Sequence, residues 1–210
     1  MKRKMTLLLI AMLSITTVCS AQSQNDRWKN KYINLGFVNT TMSQHEAPDL
    51  LSNYGISFST GRTFYLHQRP MKRVVRLGMD VTWIDLNYTN YQIEYVTDSD
   101  VSNFNYHHGE VSMQVGPSIV IAPTKKMNIQ AYLRYAPSIS LFYDNETYLA
   151  NYANFFVGGV SVSYGMVGLG AESRMGCCKY QNMIQNANAG IIPIDEVVHN
   201  GCRMYLTFKF

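Results

Sequence analysis

Residues 109–123 read GEVSMQVGPSIVIAP, residues 124–126 read TKK, and residues 127–143 read MNIQAYLRYAPSISLFY. In the last of these, Met127, Ile129, Ala131, Leu133, Tyr135, Pro137, Ile139 and Leu141 occupy alternate positions. Asn128, Gln130, Arg134, Ser138 and Ser140 lie between them. The first arm alternates in the same way, with Val111, Met113, Val115, Ile119 and Ile121 set against Glu110, Ser112, Gln114, Gly116 and Ser118. A period of two places successive side chains on opposite faces of a strand, and here it persists well beyond an ordinary strand length. The two arms and Thr124-Lys125-Lys126 therefore predict a long antiparallel hairpin with one apolar and one polar face.

The same period marks six further segments, at residues 31–42, 54–66, 73–88, 152–165, 167–177 and 203–210. No segment carries a helical period, so eight strands and no helix are expected in the mature chain. The links sort into short ones (67–72, 123–126, 165–166) and long ones (43–53, 89–108, 144–151, 178–202), and the two kinds alternate strictly. An eight-stranded antiparallel up-and-down transmembrane β-barrel has this arrangement, with short turns at the periplasmic end and long loops outside.

The N-terminus supports export. Met1-Lys2-Arg3-Lys4, an apolar run from Leu7 to Leu13 and the small residues before Gln22 make a secretory signal, with cleavage expected after Ala21. The expected organisation is a signal peptide at 1–21, an N-terminal periplasmic segment at 22–30 and a barrel domain at 31–210. Losing Lys2, Arg3 and Lys4 lowers the formal charge from +4 to +1, which gives no electrostatic basis for a nucleic-acid partner. Charged residues make up 15% of the chain, against about 25% in typical soluble domains. No later apolar run reaches the roughly 20 residues of a membrane helix, so membrane residence must come from strands.

A soluble ligand-binding barrel is the competing architecture, with its apolar face turned inward. Its other face would then meet water and be rich in Lys, Glu and Asp. In this chain that face is mostly Gly, Ser, Thr, Asn and Gln, residues that a narrow lumen can hold, so the apolar face is read as facing lipid. The charges at inward parity are Arg76, Asp80, Glu110, Arg134, Glu172, Arg174, Arg203 and Lys209. They are expected to pair in a hydrogen-bonded network that fills the barrel, with Arg134 and Glu172 the first pair to test. The 15 tyrosines, among them Tyr32, Tyr54, Tyr65, Tyr88, Tyr143, Tyr152 and Tyr164 near strand ends, suggest an interfacial girdle. Pro117 and Pro137 predict local bulges, and Arg62 falls on the lipid face unless a bulge near Gly61 redirects it.

With these features the chain resembles the small outer-membrane β-barrel family, which includes OmpA-type transmembrane domains and OmpX-like proteins. The resemblance rests on the signal ending Cys19-Ser20-Ala21, the eight alternating segments and the terminal Arg203-Met204-Tyr205-Leu206-Thr207-Phe208-Lys209-Phe210. It implies a bacterial outer-membrane location, contact with outer-membrane lipid, and a C-terminal assembly signal at Phe208 and Phe210 read by the outer-membrane assembly machinery. Tyr205 stands where the family usually has glycine. The Ala-Gln cleavage context and the abundance of Asn and Tyr resemble chains of Bacteroidota. The implied role is envelope structure, or adhesion to an external protein or surface ligand through the outer loops, by a monomer without cofactors.

Two further sets of residues invite chemistry. Cys177 ends the seventh strand and Cys202 precedes the eighth, both at outward parity, so a Cys177–Cys202 disulfide is preferred to one through Cys178. No metal-ligand spacing is present. His107, His108, Glu110 and Ser112 gather where the fourth strand leaves its outer loop. Some barrels of this family modify lipids with Ser, His and acidic groups, which makes a lipid-modifying acyltransferase or deacylase the alternative. No second acid or oxyanion donor is identifiable, and no catalytic residue is assigned. The loop at 89–108 contains a further alternating run, Tyr91 to Val96, and predicts that strands 3 and 4 continue above the membrane as a hairpin able to bind a partner by strand addition.

Overall fold

The computed structural model describes residues 28–44, 47–97, 100–144, 147–178 and 197–210. The expected signal peptide and most of the expected periplasmic segment lie outside these residues. Eight strands form in sequence order: β1 (Lys31–Gln44), β2 (Ala47–Tyr65), β3 (Val75–Thr97), β4 (Asp100–Ile121), β5 (Met127–Asp144), β6 (Thr147–Tyr164), β7 (Val167–Cys178) and β8 (Val197–Lys209). Each pairs antiparallel with the next, and β8 returns to β1, closing the sheet. Closure removes the free edges that an open sheet would present.

The alternation read from the sequence sets which side chains point inward. Across the β4–β5 hairpin, Ser112, Gln114, Ser118, Gln130, Arg134 and Ser138 are buried, whereas Val111, Met113, Val115, Leu133 and Ile139 are exposed. The exposed set continues around the barrel, with Phe37 77%, Phe156 61%, Leu169 67% and Met204 68% accessible. Side chains this apolar and this exposed form a lipid-facing belt, and the soluble-barrel alternative is overturned, since it needs them inside.

The expected outer loops 43–53 and 144–151 prove to be mostly strand, and 89–108 forms the expected hairpin continuation of strands 3 and 4. Segments 43–53, 89–108 and 144–151 continue the ladders up to Gln44↔Ala47, Thr97↔Asp100 and Asp144↔Thr147. Backbone pairing does not require an apolar face, so polar residues can extend the strands beyond the bilayer. Of the fourth expected long connection, 178–202, Cys178 ends β7 and residues 197–202 belong to β8, while 179–196 lie outside the described residues.

One irregularity redirects the interior. The β2–β3 register shifts between Thr60 and Gly61, and the β3–β4 register shifts between Thr82 and Asp85. Both shifts place an extra residue in β3 at Trp83-Ile84, and these two neighbours are both exposed, at 49% and 46%. A bulge of this kind reverses the parity of everything after it. Asp85, which an unbroken alternation from Asp80 would turn outward, therefore points inward and is fully buried. The bulge does not redirect Arg62, which stays outside with its guanidinium 5.2 Å from the Phe64 ring.

The prolines behave differently from expectation. The β4–β5 register is the same on both sides of Pro117 and Pro137, so neither makes a bulge. Paired residues are instead missing from that ladder between Ser112↔Ser138 and Val115↔Tyr135, and between Val115↔Tyr135 and Ser118↔Tyr132. A residue without an N–H removes ladder bonds, and the two prolines concentrate that loss in one seam.

Tyr32 corrects the girdle. Tyr54, Tyr152 and Tyr164 are exposed, but Tyr32 is buried in the lumen and donates a 2.9 Å hydrogen bond to Asp80 Oδ1. Tyr32, Tyr132 and Tyr205 each sit directly across a strand pair from a glycine: Gly61, Gly159 and Gly170. A Cβ at any of these glycines would strike the tyrosine ring opposite, so the missing side chain makes room for an aromatic one inside a narrow barrel.

Candidate functional site: the filled lumen and its outer mouth

The buried charged residues Asp80, Asp85, Glu110, Arg134, Glu172, Arg174, Arg203 and Lys209 form one connected array. Nearest the turn end, Lys209 Nζ donates to Gln130 Oε1 at 2.7 Å, and Gln130 Nε2 donates to Asp80 Oδ2 at 2.7 Å. Arg134 Nη2 pairs with that same Asp80 oxygen at 2.8 Å, while its Nη1 donates to Gln114 Oε1 at 3.0 Å. Gln114 Nε2 then donates to Asp85 Oδ2 at 2.7 Å.

Asp85 is the hub. It receives Arg203 through Nη1 at 2.6 Å and Nη2 at 3.2 Å, Ser112 Oγ at 3.0 Å and Arg174 Nη1 at 3.5 Å. Arg203 Nη2 also lies 2.9 Å from Glu172 Oε1, and Arg174 Nη1 lies 3.0 Å from Glu110 Oε2. The expected Arg134–Glu172 pair does not form. Tyr132 stands between them, donating to Glu172 Oε2 at 2.6 Å and offering its ring face 3.5 Å from Arg134 Cζ.

Arg76 lies apart from this array. It is half-buried at the turn end, donates to the Gln68 carbonyl at 2.6 Å and stacks 4.4 Å from the Trp28 ring and 5.0 Å from that of Tyr65. With Arg76 at the rim and Asp85 inside, the buried set holds four acids and four bases. Neutrality matters because an unpaired charge in this environment would cost several kcal/mol. Among the described residues, one void lies beside Glu110, Arg174 and His199 and another beside Gln130, Arg134 and Lys209, each of about 10 Å³. That is room for about one water molecule.

At the outer mouth, His108, Glu110 and Ser112 point inward as expected, but they do not assemble a catalytic triad. Ser112 donates to Asp85, and His108 Nε2 contacts Ser140 Oγ at 2.6 Å. Glu110 Oε1 approaches that same Nε2 at 3.9 Å, whereas a triad places the acid on the opposite ring nitrogen. His107 faces outward, stacked between Tyr88 and Tyr143 at 6.0 and 6.1 Å, with Tyr88 Oη 2.7 Å from its Nδ1. Sequence reading missed His199. It lies in a stretch taken for loop, yet it is buried in β8 with its ring 5.5 Å from that of His108.

The cysteine expectation is overturned. Cys177 faces Val198 and Cys202 faces Ser173, so the two are four register steps apart along adjacent strands, about 13 Å at the usual strand rise. A disulfide needs Cα atoms within about 7 Å. Peptide mapping without reductant is expected to show no Cys177–Cys202 cross-link, and recovery of that cross-linked peptide would overturn this register. Phe208 and Phe210 end the closing strand, and Phe210 exchanges backbone hydrogen bonds with Lys31 at 3.0 and 3.1 Å.

A closed antiparallel barrel with an apolar outside and a filled, charge-balanced inside has the architecture of a small membrane-spanning β-barrel, because only helices and closed barrels satisfy their backbone within lipid. No protein-family model matches the chain, and no curated protein matches it in sequence. Among solved structures it is similar to Ail, the attachment invasion locus protein of Yersinia pestis, with a TM-score of 0.47 and 9% identity over 87% of this chain and 99% of that one. It is also similar to Neisserial surface protein A (0.47, 12%, 86% and 97%) and to the outer membrane protease OmpT from Escherichia coli (0.47, 10%, 86% and 97%).

Proposed function

We propose that this barrel is a monomeric surface-interaction protein of the outer membrane, exported by its signal, assembled through the Phe208–Phe210 end, and binding an external protein or surface ligand through its outer hairpins. The observation that carries this reading is the overhang of β3 and β4. The β2 ladder on β3 ends at Ser52↔Tyr91, and the β5 ladder on β4 ends at His107↔Tyr143. Beyond those points Gln92↔Asn105 through Thr97↔Asp100 pair only with each other. Six residues of each strand, about 20 Å of extended chain, continue past the last pairs with β2 and β5. A two-stranded ribbon with both edges open is a template for strand addition by an extended polypeptide.

Trimming residues 93–104 and closing the ribbon with a two-residue turn should leave the heat-modifiable mobility of the barrel unchanged. Adherence of cells displaying it to a protein-coated surface should fall at least tenfold. Equal adherence by trimmed and full-length barrels would remove this function. In solution, the amides of 92–97 and 100–105 should exchange more slowly than those of an unstructured loop.

A further inference from the structure

We propose that His108, Glu110 and His199 form a binding site for a divalent transition-metal ion of the zinc class, spanning the outer half of the lumen. One ligand atom from each of these buried side chains lies within 4.8 Å of the other two. β4 supplies His108 and Glu110 at positions i and i+2, so both point inward, and β8 supplies His199. In a barrel closed in sequence order β4 and β8 stand four strands apart, so the set draws on opposite walls.

Glu110 is already oriented for the task. Its Oε2 accepts from Asn87 Nδ2 at 3.3 Å and pairs with Arg174 Nη1 at 3.0 Å, while Oε1 turns toward His108 Nε2 at 3.9 Å. Outer donors that fix one oxygen of a carboxylate while the other ligates are the usual support of a metal centre. Arg174 is a cationic neighbour, and its charge is shared between Glu110 and Asp85. The void of about 10 Å³ bordered by Glu110 and His199 can hold the water that would complete four-coordination.

The ligand types select the ion. Two imidazoles and one carboxylate suit zinc and its neighbours, whereas calcium and magnesium ask for about six oxygen ligands. Metal–ligand bonds of about 2.0–2.1 Å place tetrahedral ligands about 3.3 Å apart, so the side chains must draw together by up to about 1.5 Å. His108 would exchange its Ser140 contact for the ion. The bound ion would tie β4 to β8 directly across the mouth.

The full-length barrel, refolded in detergent and freed of metal with a chelator, should take up one Zn²⁺ per chain by calorimetry. With Co²⁺ it should develop the visible absorption of a tetrahedral site. His199→Ala and Glu110→Gln should each weaken Zn²⁺ binding about 10- to 100-fold while keeping heat-modifiable mobility. Zn²⁺ should also raise the unfolding midpoint of the unaltered barrel but not that of His199→Ala. Alkylating the three cysteines should leave binding intact. Absence of binding, unchanged affinity in both variants, or loss of binding on alkylation alone would each overturn the proposal.

Discussion

Replacing Asp85 by alanine is expected to destabilise the folded barrel by about 3–5 kcal/mol, the cost of leaving buried charge without its partner. Two guanidinium groups, Ser112 and Gln114 converge on this carboxylate. Its loss leaves four buried bases against three acids. Arg203 would still have Glu172, and Arg174 would still have Glu110, so the barrel is expected to fold but to unfold at lower urea concentration in lipid vesicles. Asp85→Asn should recover little, because the amide keeps the shape without the charge. The double variant Asp85→Ala/Arg203→Met should cost less than the sum of the single changes by about 1–3 kcal/mol, as coupled groups do. Additive costs, or an Asp85→Ala barrel within 1 kcal/mol of the parent on this scale, would mean that Asp85 is not the hub.

Gly116→Ala is expected to cost about 1–3 kcal/mol or more, the range for forcing atoms into a filled interior. A Cβ at this position would fall on the Leu133 carbonyl oxygen and come within 2.7 Å of Arg134 Cα. Both are backbone atoms and cannot rotate away. The seam between β4 and β5 already lacks paired residues on both sides of Val115↔Tyr135, so it has little hydrogen bonding in reserve. Pushing β5 outward would also draw Arg134 off Asp80. Refolding yield and the urea midpoint of Gly116→Ala, set beside Gly109→Ala, provide the measurement, because a Cβ at Gly109 meets only Leu141 Cβ at 4.0 Å. Equal loss in the two variants would contradict the close approach at Gly116.

Most of the barrel was legible because its two faces meet different solvents. Lipid outside and a crowded lumen inside impose a period of two that survives along every spanning strand. Strand count, order and closure followed from it, as did the inward placement of Glu110, Arg134, Glu172, Arg174 and Arg203. Alternation fails at a bulge, and that is where Asp85 was lost. The trace it leaves in sequence is the adjacent apolar pair Trp83-Ile84, after which Leu86 and Tyr88 continue outward while Asp85, Asn87 and Thr89 turn in.

His199 was illegible for a different reason. Polar residues near a strand end read as loop whenever apolar partners are missing, and here the backbone ladder with β1 and β7 alone carries the strand that far. The cysteine pairing failed because nearness of strand ends does not fix register. A displacement of four residues is invisible to a pattern that repeats every two.

The lumen array joins parts of the chain that are far apart in sequence. Arg203 and Asp85 are 118 residues apart, Lys209 and Gln130 are 79 apart, and Tyr132 and Tyr205 are 73 apart. None of these bonds can exist in a half-built sheet, since each needs β8, the last strand of the chain. The local hairpins can therefore form early with their charges still hydrated, and the lumen can dry only when β8 meets β1. Long-range contacts of this kind slow folding and make its final step cooperative. Insertion should accordingly show a single late transition in which closure of the wall and neutralisation of its contents are the same event.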